Sequence, residues 1–258
     1  MDKPANLSRE YGAQFQDKSM AKHYRKRPPY ADELFDFLTR LVPENARLLD
    51  VGCGTGEIAI PLAQRGMTVT AIDASQAMLD IASQSETKVR WINATVEDFE
   101  FTNPFDLITC ANSLHWLDWH TVMPKFSKLL SHNGLMAVIH GGDLKGLKNE
   151  SKIIELISQF STNQDYQPFN LFDELIERGL FKPVGFHQTK PIHITQPLDD
   201  YIASFHSRNG FSIERMGEAS AEEFDQKLAQ LLDAELVDGH IDGLSQVKIM
   251  WGYPLASF

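Results

Sequence analysis

The sequence predicts an α/β domain built on a seven-stranded, mostly parallel sheet, with helices on both faces and a small helical cap. From Arg47 to about His140, short apolar runs alternate with segments of helical periodicity. That alternation is typical of parallel strands joined by crossover helices. The chain has 258 residues, of which 43% are hydrophobic and 23% charged, enough for one large α/β domain that carries a cap.

The elements of the first half follow in order along the chain. Ser75 is a suitable N-cap for a helix, Pro61 is tolerated in the first turn of another, and Asn133-Gly134 can end a third. Strands are expected over residues 47–51, 67–72, 88–92, 105–111 and 135–139, and helices over residues 58–66, 76–82 and 119–130.

The second half gives weaker signals. Helices are expected over residues 152–160 and 171–178, strands over 183–189 and 247–258, and a long helix over 221–237. We expect residues 1–30 to form a helical arm and residues 31–258 to form the main domain, with the helical cap inserted at about 196–240. Arm and cap would cover the same edge of the sheet.

Charge and composition exclude several classes of protein. With 24 Lys and Arg against 35 Asp and Glu, the net charge is −11, which disfavours extended contact with nucleic acid or anionic lipid. No apolar run reaches the roughly 20 residues of a membrane span, and the start of the chain lacks a secretory signal, so a cytoplasmic protein is expected. Two cysteines make no disulfide framework, and the nine histidines show no metal-binding spacing.

The most informative segment is the Gly-rich turn Asp50-Val51-Gly52-Cys53-Gly54-Thr55-Gly56 between a strand and a helix. Glycines allow such a turn to approach a ligand closely, and Asp73 at the tip of the next strand can hold both ribose hydroxyls of a nucleotide. In a dinucleotide fingerprint the third glycine would fall at position 57, which is Glu57. The spacing therefore disfavours a nicotinamide cofactor.

Four segments in order resemble the class I S-adenosylmethionine-dependent methyltransferases. The Gly-rich turn resembles their first motif, and residues 69–75 resemble the ribose-binding segment that follows it. Residues 93–98 resemble the adenine-contacting loop, and residues 105–109 the strand that opens onto the methyl-transfer site. The resemblance implies a Rossmann-like fold and S-adenosyl-L-methionine as cofactor.

Two smaller matches resemble the trans-aconitate methyltransferase-like group of small-molecule enzymes within that superfamily. These are Arg27-Pro28-Pro29-Tyr30 before the core and Leu114-His115-Trp116 after the fourth strand. The cap does not match well enough to identify an acceptor.

The resemblance implies a set of cofactor-binding residues. Gly52, Gly54 and Gly56 would approach the methionine part, Asp73 the ribose, Thr95, Val96 and Glu97 the adenine, and Ala111 the sulfonium, while Arg27 would pair with the methionine carboxylate. Asp50, Ala74 and Met78 complete the set. An alternative for Arg27 is a plain surface position in the basic turn that it forms with Arg25 and Lys26.

The residues that would handle the acceptor are less specific. His115 lies just after the fourth strand and is the candidate general base, with pocket lining and packing on Trp116 as alternatives. We expect the acceptor to contact His115, Trp116, His140, Tyr201, His206 and Arg208. For the cap residues, packing against the core is the alternative.

The predicted function is methyl transfer from S-adenosylmethionine to an O, N or carboxylate acceptor on a small molecule, by a monomer or homodimer. Two alternatives remain open from the sequence. The first is a cofactor-binding sensor or assembly partner that transfers no methyl group. The second is an enzyme that uses the bound sulfonium for a rearrangement.

Overall fold

The computed structural model describes Leu7, residues 9–167 and residues 169–256, so part of the expected arm, residues 1–6 and 8, lies outside the described residues. The strands are β1 (Arg47–Val51), β2 (Thr68–Asp73), β3 (Val89–Asn93), β4 (Phe105–Ala111), β5 (Leu130–Gly141), β6 (Phe181–Gln188), β7 (Ile192–Pro197), β8 (His240–Ser245) and β9 (Val247–Pro254). The helices are α1 (Arg9–Gly12), α2 (Lys18–Tyr24), α3 (Asp32–Arg40), α4 (Ala59–Gln64), α5 (Gln76–Ala82), α6 (Trp119–Leu129), α7 (Glu150–Phe160), α8 (Leu171–Glu177), α9 (Leu198–Phe205), α10 (Ile213–Met216) and α11 (Glu218–Leu232).

Seven strands form one sheet in the order β3-β2-β1-β4-β5-β9-β6. β1 to β5 are parallel to one another, and β9 runs antiparallel to both of its neighbours, β5 and β6. Successive side chains of a strand point to opposite faces, so Leu48 packs in the apolar layer of α3 and α4, while Leu49 packs in the layer of α6 and α8. The predicted Rossmann-like α/β sheet with helices on both faces is confirmed.

The carboxyl ends of the five parallel strands meet at one edge of the sheet. Asp73 ends β2, Ala111 ends β4 and Gly141 ends β5, while the Gly-rich turn follows β1 directly. Ligands of open parallel sheets bind at this edge, beside the strand where the chain order reverses. Here that strand is β1, which lies between β2 and β4.

A second apolar layer forms the cap. Its buried residues come from α7, α9 and α11 and from β7 and β8, and Phe205, Phe224 and Ile241 are fully buried in it. β7 and β8 form a separate two-stranded antiparallel ribbon, and Leu244 of β8 also forms a single antiparallel bridge with Lys145. The cap is therefore broader than the expected insertion at residues 196–240, because the ribbon strand at 192–197 and α7 belong to the same apolar layer.

The arm lies between the sheet and the cap. Met20 and Ala21 of α2 are buried against Met78 of α5. On the cap side the contacts are polar: the Gly210 N–H donates to Gln14 Oε1 at 2.9 Å, and Arg27 Nε donates to Ser207 Oγ at 2.8 Å. Among the described residues, no helix has both the length and the apolar character needed to cross a bilayer.

Candidate active site

The Gly-rich turn needs glycine for steric reasons. Gly52 and Gly54 have φ values of +64° and +55°, in the left-handed region that favours glycine. A Cβ atom on Gly52 would lie 2.5 Å from the Cβ of Ser113 in the loop after β4. The turn therefore brings bare backbone to the edge of the sheet, where a ligand can approach it closely.

Asp73 is held rigidly beside this turn. Its Oδ2 accepts a hydrogen bond from the Gly54 N–H at 2.8 Å, and its Oδ1 accepts one from the Ser75 N–H at 2.8 Å. Burial raises the pKa of Asp73 above its ordinary value and outweighs these two hydrogen bonds. Each carboxylate oxygen keeps a lone pair for a further donor, which is the geometry that a pair of ribose hydroxyls requires.

A cavity of about 670 Å³ opens over Asp73. Eight of the residues expected to bind the cofactor line it: Gly52, Gly54, Asp73, Ala74, Met78, Thr95, Val96 and Glu97. The arm forms the opposite wall with Leu7, Gly12 and Phe15. The size and lining of this cavity suit a nucleoside.

A second cavity of about 220 Å³ adjoins the first. It is lined by three more of the expected cofactor residues, Arg27, Asp50 and Ala111, and by four of the expected acceptor residues, His115, Trp116, His140 and Arg208. Five residues line both cavities: Phe15, Tyr24, Gly52, Asn112 and Trp116. The two spaces therefore meet above the Gly-rich turn and the end of β4.

Asp50 is a buried carboxylate at the smaller cavity. Its Oδ1 accepts a hydrogen bond from Thr109 Oγ1 at 2.7 Å, but its Oδ2 is buried without a hydrogen-bond partner among the described residues. Burial raises the pKa of Asp50 to about 7. An orphaned carboxylate oxygen at this position suits a cationic ligand group such as the ammonium of a methionine moiety.

Arg27 joins the arm to the cap at the same cavity. Its side chain donates to Ser207 Oγ at 2.8 Å and to the Ser207 carbonyl at 2.5 Å, and its guanidinium lies 4.5 Å from the centre of the Tyr24 ring. These contacts place Arg27 in the cavity wall and not on a solvated basic turn. A role toward a ligand carboxylate stays a prediction.

The histidines of the acceptor side cluster around Trp116. The His115 ring lies 4.6 Å from the Trp116 ring and 6.5 Å from the His140 ring. Burial lowers the pKa of His140, and the nearby carboxylate of Asp143 only partly opposes that effect. His140 is therefore neutral at pH 7, and a neutral imidazole can accept a proton.

Arg208 reaches the smaller cavity from the cap. Its terminal nitrogen lies 3.4 Å from Asp143 Oδ1, its guanidinium lies 4.1 Å from the centre of the Phe205 ring, and its Nε is buried without a hydrogen-bond partner among the described residues. The Arg208 charge lowers the pKa of Asp143. Arg208 is thus the cap residue best placed to meet an acceptor.

Three of the expected site residues do not line either cavity. Tyr201 is buried in the cap and packs edge-on against Phe205 at 5.3 Å. Both ring nitrogens of His206 are engaged, with the Phe211 carbonyl at 3.0 Å and Asp225 Oδ1 at 2.9 Å. Gly56 lines neither cavity, and a Cβ atom on it would meet the side chains of Ile60 and Trp91.

The structure also adds site residues that the sequence reasoning did not single out. Asn112, with φ of +50°, uses its amide to bridge β4 and β5: Nδ2 donates to the Gly141 carbonyl at 2.8 Å, and Oδ1 accepts from the Gly141 N–H at 3.1 Å. Nδ2 also donates to the Tyr30 hydroxyl at 3.1 Å. Asn112 follows β4 directly and Asp143 follows β5 after one residue, so position after a strand was the signal that identifies them.

The described residues contain no cluster of three or more His, Cys, Asp or Glu side chains arranged to hold a metal ion. Cys53 and Cys110 are free and buried. Burial raises the thiol pKa of both residues, so neither is primed as a thiolate nucleophile.

Comparison with known proteins agrees with this geometry. Residues 48–134 match the family model of a methyltransferase domain. An uncharacterized methyltransferase of Mycobacterium bovis is 29% identical over 122 residues, 47% of this chain and 49% of that protein, so the chain spans about half the length of the mycobacterial relatives that it matches. A putative methyltransferase of Dictyostelium discoideum is 26% identical over 211 residues, 77% of this chain and 79% of that protein.

The solved structure of a putative type II methyltransferase from Anaeromyxobacter dehalogenans has the same fold. It is 20% identical and superposes with a TM-score of 0.61, covering 90% of this chain and 99% of the other. The matched segment contains β2 to β4, all of β1 except Arg47, the Gly-rich turn and Asp73. Residues 48–134 are therefore similar to a methyltransferase domain, and the chain has the fold of a solved methyltransferase structure.

Proposed function

We propose that this protein transfers a methyl group from S-adenosylmethionine to an oxygen, nitrogen or carboxylate acceptor on a small molecule. The observation that carries the proposal is the fixed Asp73 carboxylate beside the Gly-rich turn, in a nucleoside-sized cavity that opens into a second, polar cavity. A nucleoside-binding space joined to an acceptor space is what group transfer from a nucleoside cofactor requires.

Residues of both cavities have a role in holding the cofactor. Asp73 would accept the ribose hydroxyls, and residues 95–97 would contact the adenine. The unpartnered Oδ2 of Asp50 would meet the methionine ammonium, and the buried charge would then have the partner that it lacks. When bound, S-adenosylmethionine supplies a methyl group on a positively charged sulfur.

The residues of the smaller cavity would align the acceptor and exclude water. An in-line displacement requires the nucleophilic atom to face the methyl carbon, so the chain's main contribution is positioning. A carboxylate acceptor is already ionised at pH 7, whereas a hydroxyl or amine has a proton to lose. We propose that His115 contacts the acceptor and takes that proton, with neutral His140 as its neighbour 6.5 Å away.

The size and charge of the site favour a compact acceptor. The smaller cavity measures about 220 Å³ and is bounded by the arm and the cap, through Arg27 and Arg208 respectively. The net charge of −11 does not suit a polynucleotide. We therefore propose a small-molecule acceptor.

Binding and turnover test the proposal in sequence. Calorimetry should show that S-adenosylmethionine and S-adenosylhomocysteine bind the wild type and bind Asp73→Asn at least about tenfold more weakly, because a charged carboxylate is lost from the ribose contacts. A panel of small carboxylates, phenols and amines with methyl-labelled cofactor should then give a labelled product. Failure of both ligands to bind would refute the proposal.

Two other outcomes would replace the proposal with an alternative. Cofactor binding without product formation across the whole panel would favour a sensor or assembly partner. Conversion of an acceptor while the cofactor stays unchanged would favour a rearrangement that only uses the sulfonium charge.

A further inference from the structure

The position of the cofactor's sulfur follows from the arrangement of the two cavities, and this step rests on the proposed function. The adenosyl group would occupy the larger cavity over Asp73, while the methionine chain and the methyl group would point into the smaller one toward Asp50 and His115. The sulfur is bonded to all three groups. It must therefore lie where the cavities meet.

Aromatic side chains dominate this meeting point. Of the five residues that line both cavities, three are aromatic: Phe15, Tyr24 and Trp116, which we call the aromatic constriction. The Phe15 and Trp116 ring centres lie 5.6 Å apart with an interplanar angle of 54°. Phe15 and Tyr24 belong to the arm, whereas Trp116 follows β4, so the constriction forms only when the arm is in place.

We propose that the aromatic constriction makes the site prefer the sulfonium cofactor to its neutral thioether product. A cation near aromatic faces is attracted by the negative charge of their π-systems, and a neutral sulfur is not. The two ligands share every other group, including the ribose, the adenine and the methionine ammonium. The attraction between the aromatic constriction and the sulfonium is therefore part of the binding free energy of the cofactor, and the thioether product lacks it.

Phe15 and Trp116 should contribute most of this preference. Tyr24 already has a cation 4.5 Å from its ring centre, the Arg27 guanidinium, which two hydrogen bonds to Ser207 keep in place. A second cation beside Tyr24 would therefore gain less binding free energy from that ring than from Phe15 or Trp116. Loss of the sulfonium charge would weaken the contact between the arm and the ligand, so the constriction assists product release.

Calorimetric dissociation constants for both ligands test this proposal. For Trp116→Leu and Phe15→Leu we expect the ratio of thioether affinity to sulfonium affinity to rise by about three- to tenfold relative to the wild type, the range expected for a lost cation–π contact. Trp116→Phe should keep most of the wild-type ratio. An analogue with a protonated amine in place of the sulfonium should follow S-adenosylmethionine.

The matched control is Phe99→Leu, because Phe99 packs edge-on against Phe101 and lines neither cavity. An equal loss of affinity for both ligands in Trp116→Leu and Phe15→Leu would show that the rings only pack, and would overturn the proposal. Phe15→Leu decides the question on its own if Trp116→Leu does not fold. If neither ligand binds the wild type, the proposed function itself fails, which is a different result from binding with an unchanged ratio.

Discussion

Asp50 makes a quantitative prediction about pH. Its pKa is about 7 in the ligand-free protein because burial of the carboxylate, helped by the nearby Glu57 and Asp73 carboxylates, outweighs the hydrogen bond from Thr109. A cationic ligand beside Asp50 stabilises the ionised form, so binding draws a proton off the carboxyl group. Affinity for S-adenosylmethionine should therefore rise as the pH increases through 7.

The size of the effect follows from the ionised fraction. With a pKa of about 7, roughly one Asp50 side chain in eleven is ionised at pH 6 and roughly ten in eleven at pH 8. If only the ionised form pairs with the ligand ammonium, affinity should increase about tenfold between pH 6 and pH 8. Calorimetry in buffers of different ionisation enthalpy should also show release of a fraction of a proton on binding at pH 7.

Asp50→Asn is the control, because it removes the titration and keeps the shape of the side chain. Its affinity should be weak and nearly independent of pH, and any remaining slope reports the ligand's own amine. An equally steep rise in Asp50→Asn would refute the assignment.

The stability of the ligand-free protein should change with pH in the opposite direction to the affinity. Because the pKa of Asp50 is raised in the folded protein, the free energy of unfolding of the wild type should fall as the pH rises from about 4 to 7, by at most about 4 kcal/mol. Asp50→Asn should therefore melt at a higher temperature than the wild type at pH 8.

Three further predictions concern individual residues. Gly52→Ala should lower the free energy of unfolding by about 1–3 kcal/mol in denaturant titrations and abolish cofactor binding. The reason is steric, because Gly52 has a φ of +64° and the new Cβ atom would meet Ser113. Unchanged stability would contradict this argument. Burial lowers the pKa of His206, but its hydrogen bonds to the Asp225 carboxylate and the Phe211 carbonyl raise that pKa overall. The pair with Asp225 therefore stabilises the cap below pH 6.5 and loses that effect as the pH rises through the folded-state pKa. Asp225→Asn should therefore lower the melting temperature more at pH 6 than at pH 8, and an equal loss at both would exclude a charged pair. Asn112→Ala should reduce turnover more than cofactor affinity, because it releases the Tyr30 hydroxyl and the Gly141 backbone; loss of affinity alone would place its role on the cofactor.

The cofactor half of the site was predictable because its residues lie in short, recognisable sequence motifs. Asp73 ends a strand of the parallel sheet, the Gly-rich turn and residues 95–97 follow other strands, and the fold brings the ends of such strands together. The predicted N-cap at Ser75 is another local contact and is confirmed, since the Ser75 hydroxyl accepts a hydrogen bond from the Met78 N–H of α5 at 3.4 Å. Hydrophobic periodicity and the choice of turn residues are sufficient to predict contacts between residues that lie close together in the sequence.

The acceptor half was less predictable because tertiary packing decides which face of the cap meets the cavity. Tyr201 and Arg208 lie seven residues apart in one segment, yet Tyr201 is buried in the cap and Arg208 lines the cavity. His206 is a polar residue that could bind a ligand, but Asp225 from α11 occupies its ring nitrogen. The ribbon of β7 and β8 depends on pairing between segments more than 40 residues apart, which sequence periodicity does not reveal.

Binding of S-adenosylmethionine by the wild type and by Asp73→Asn at pH 8 tests the central claim most directly. The geometry of Asp73, with both carboxylate oxygens fixed by backbone N–H groups at 2.8 Å, predicts saturable one-to-one binding that weakens at least about tenfold in the variant. Absence of binding to a folded wild type, or equal affinity in the two proteins, would contradict the assignment of this site.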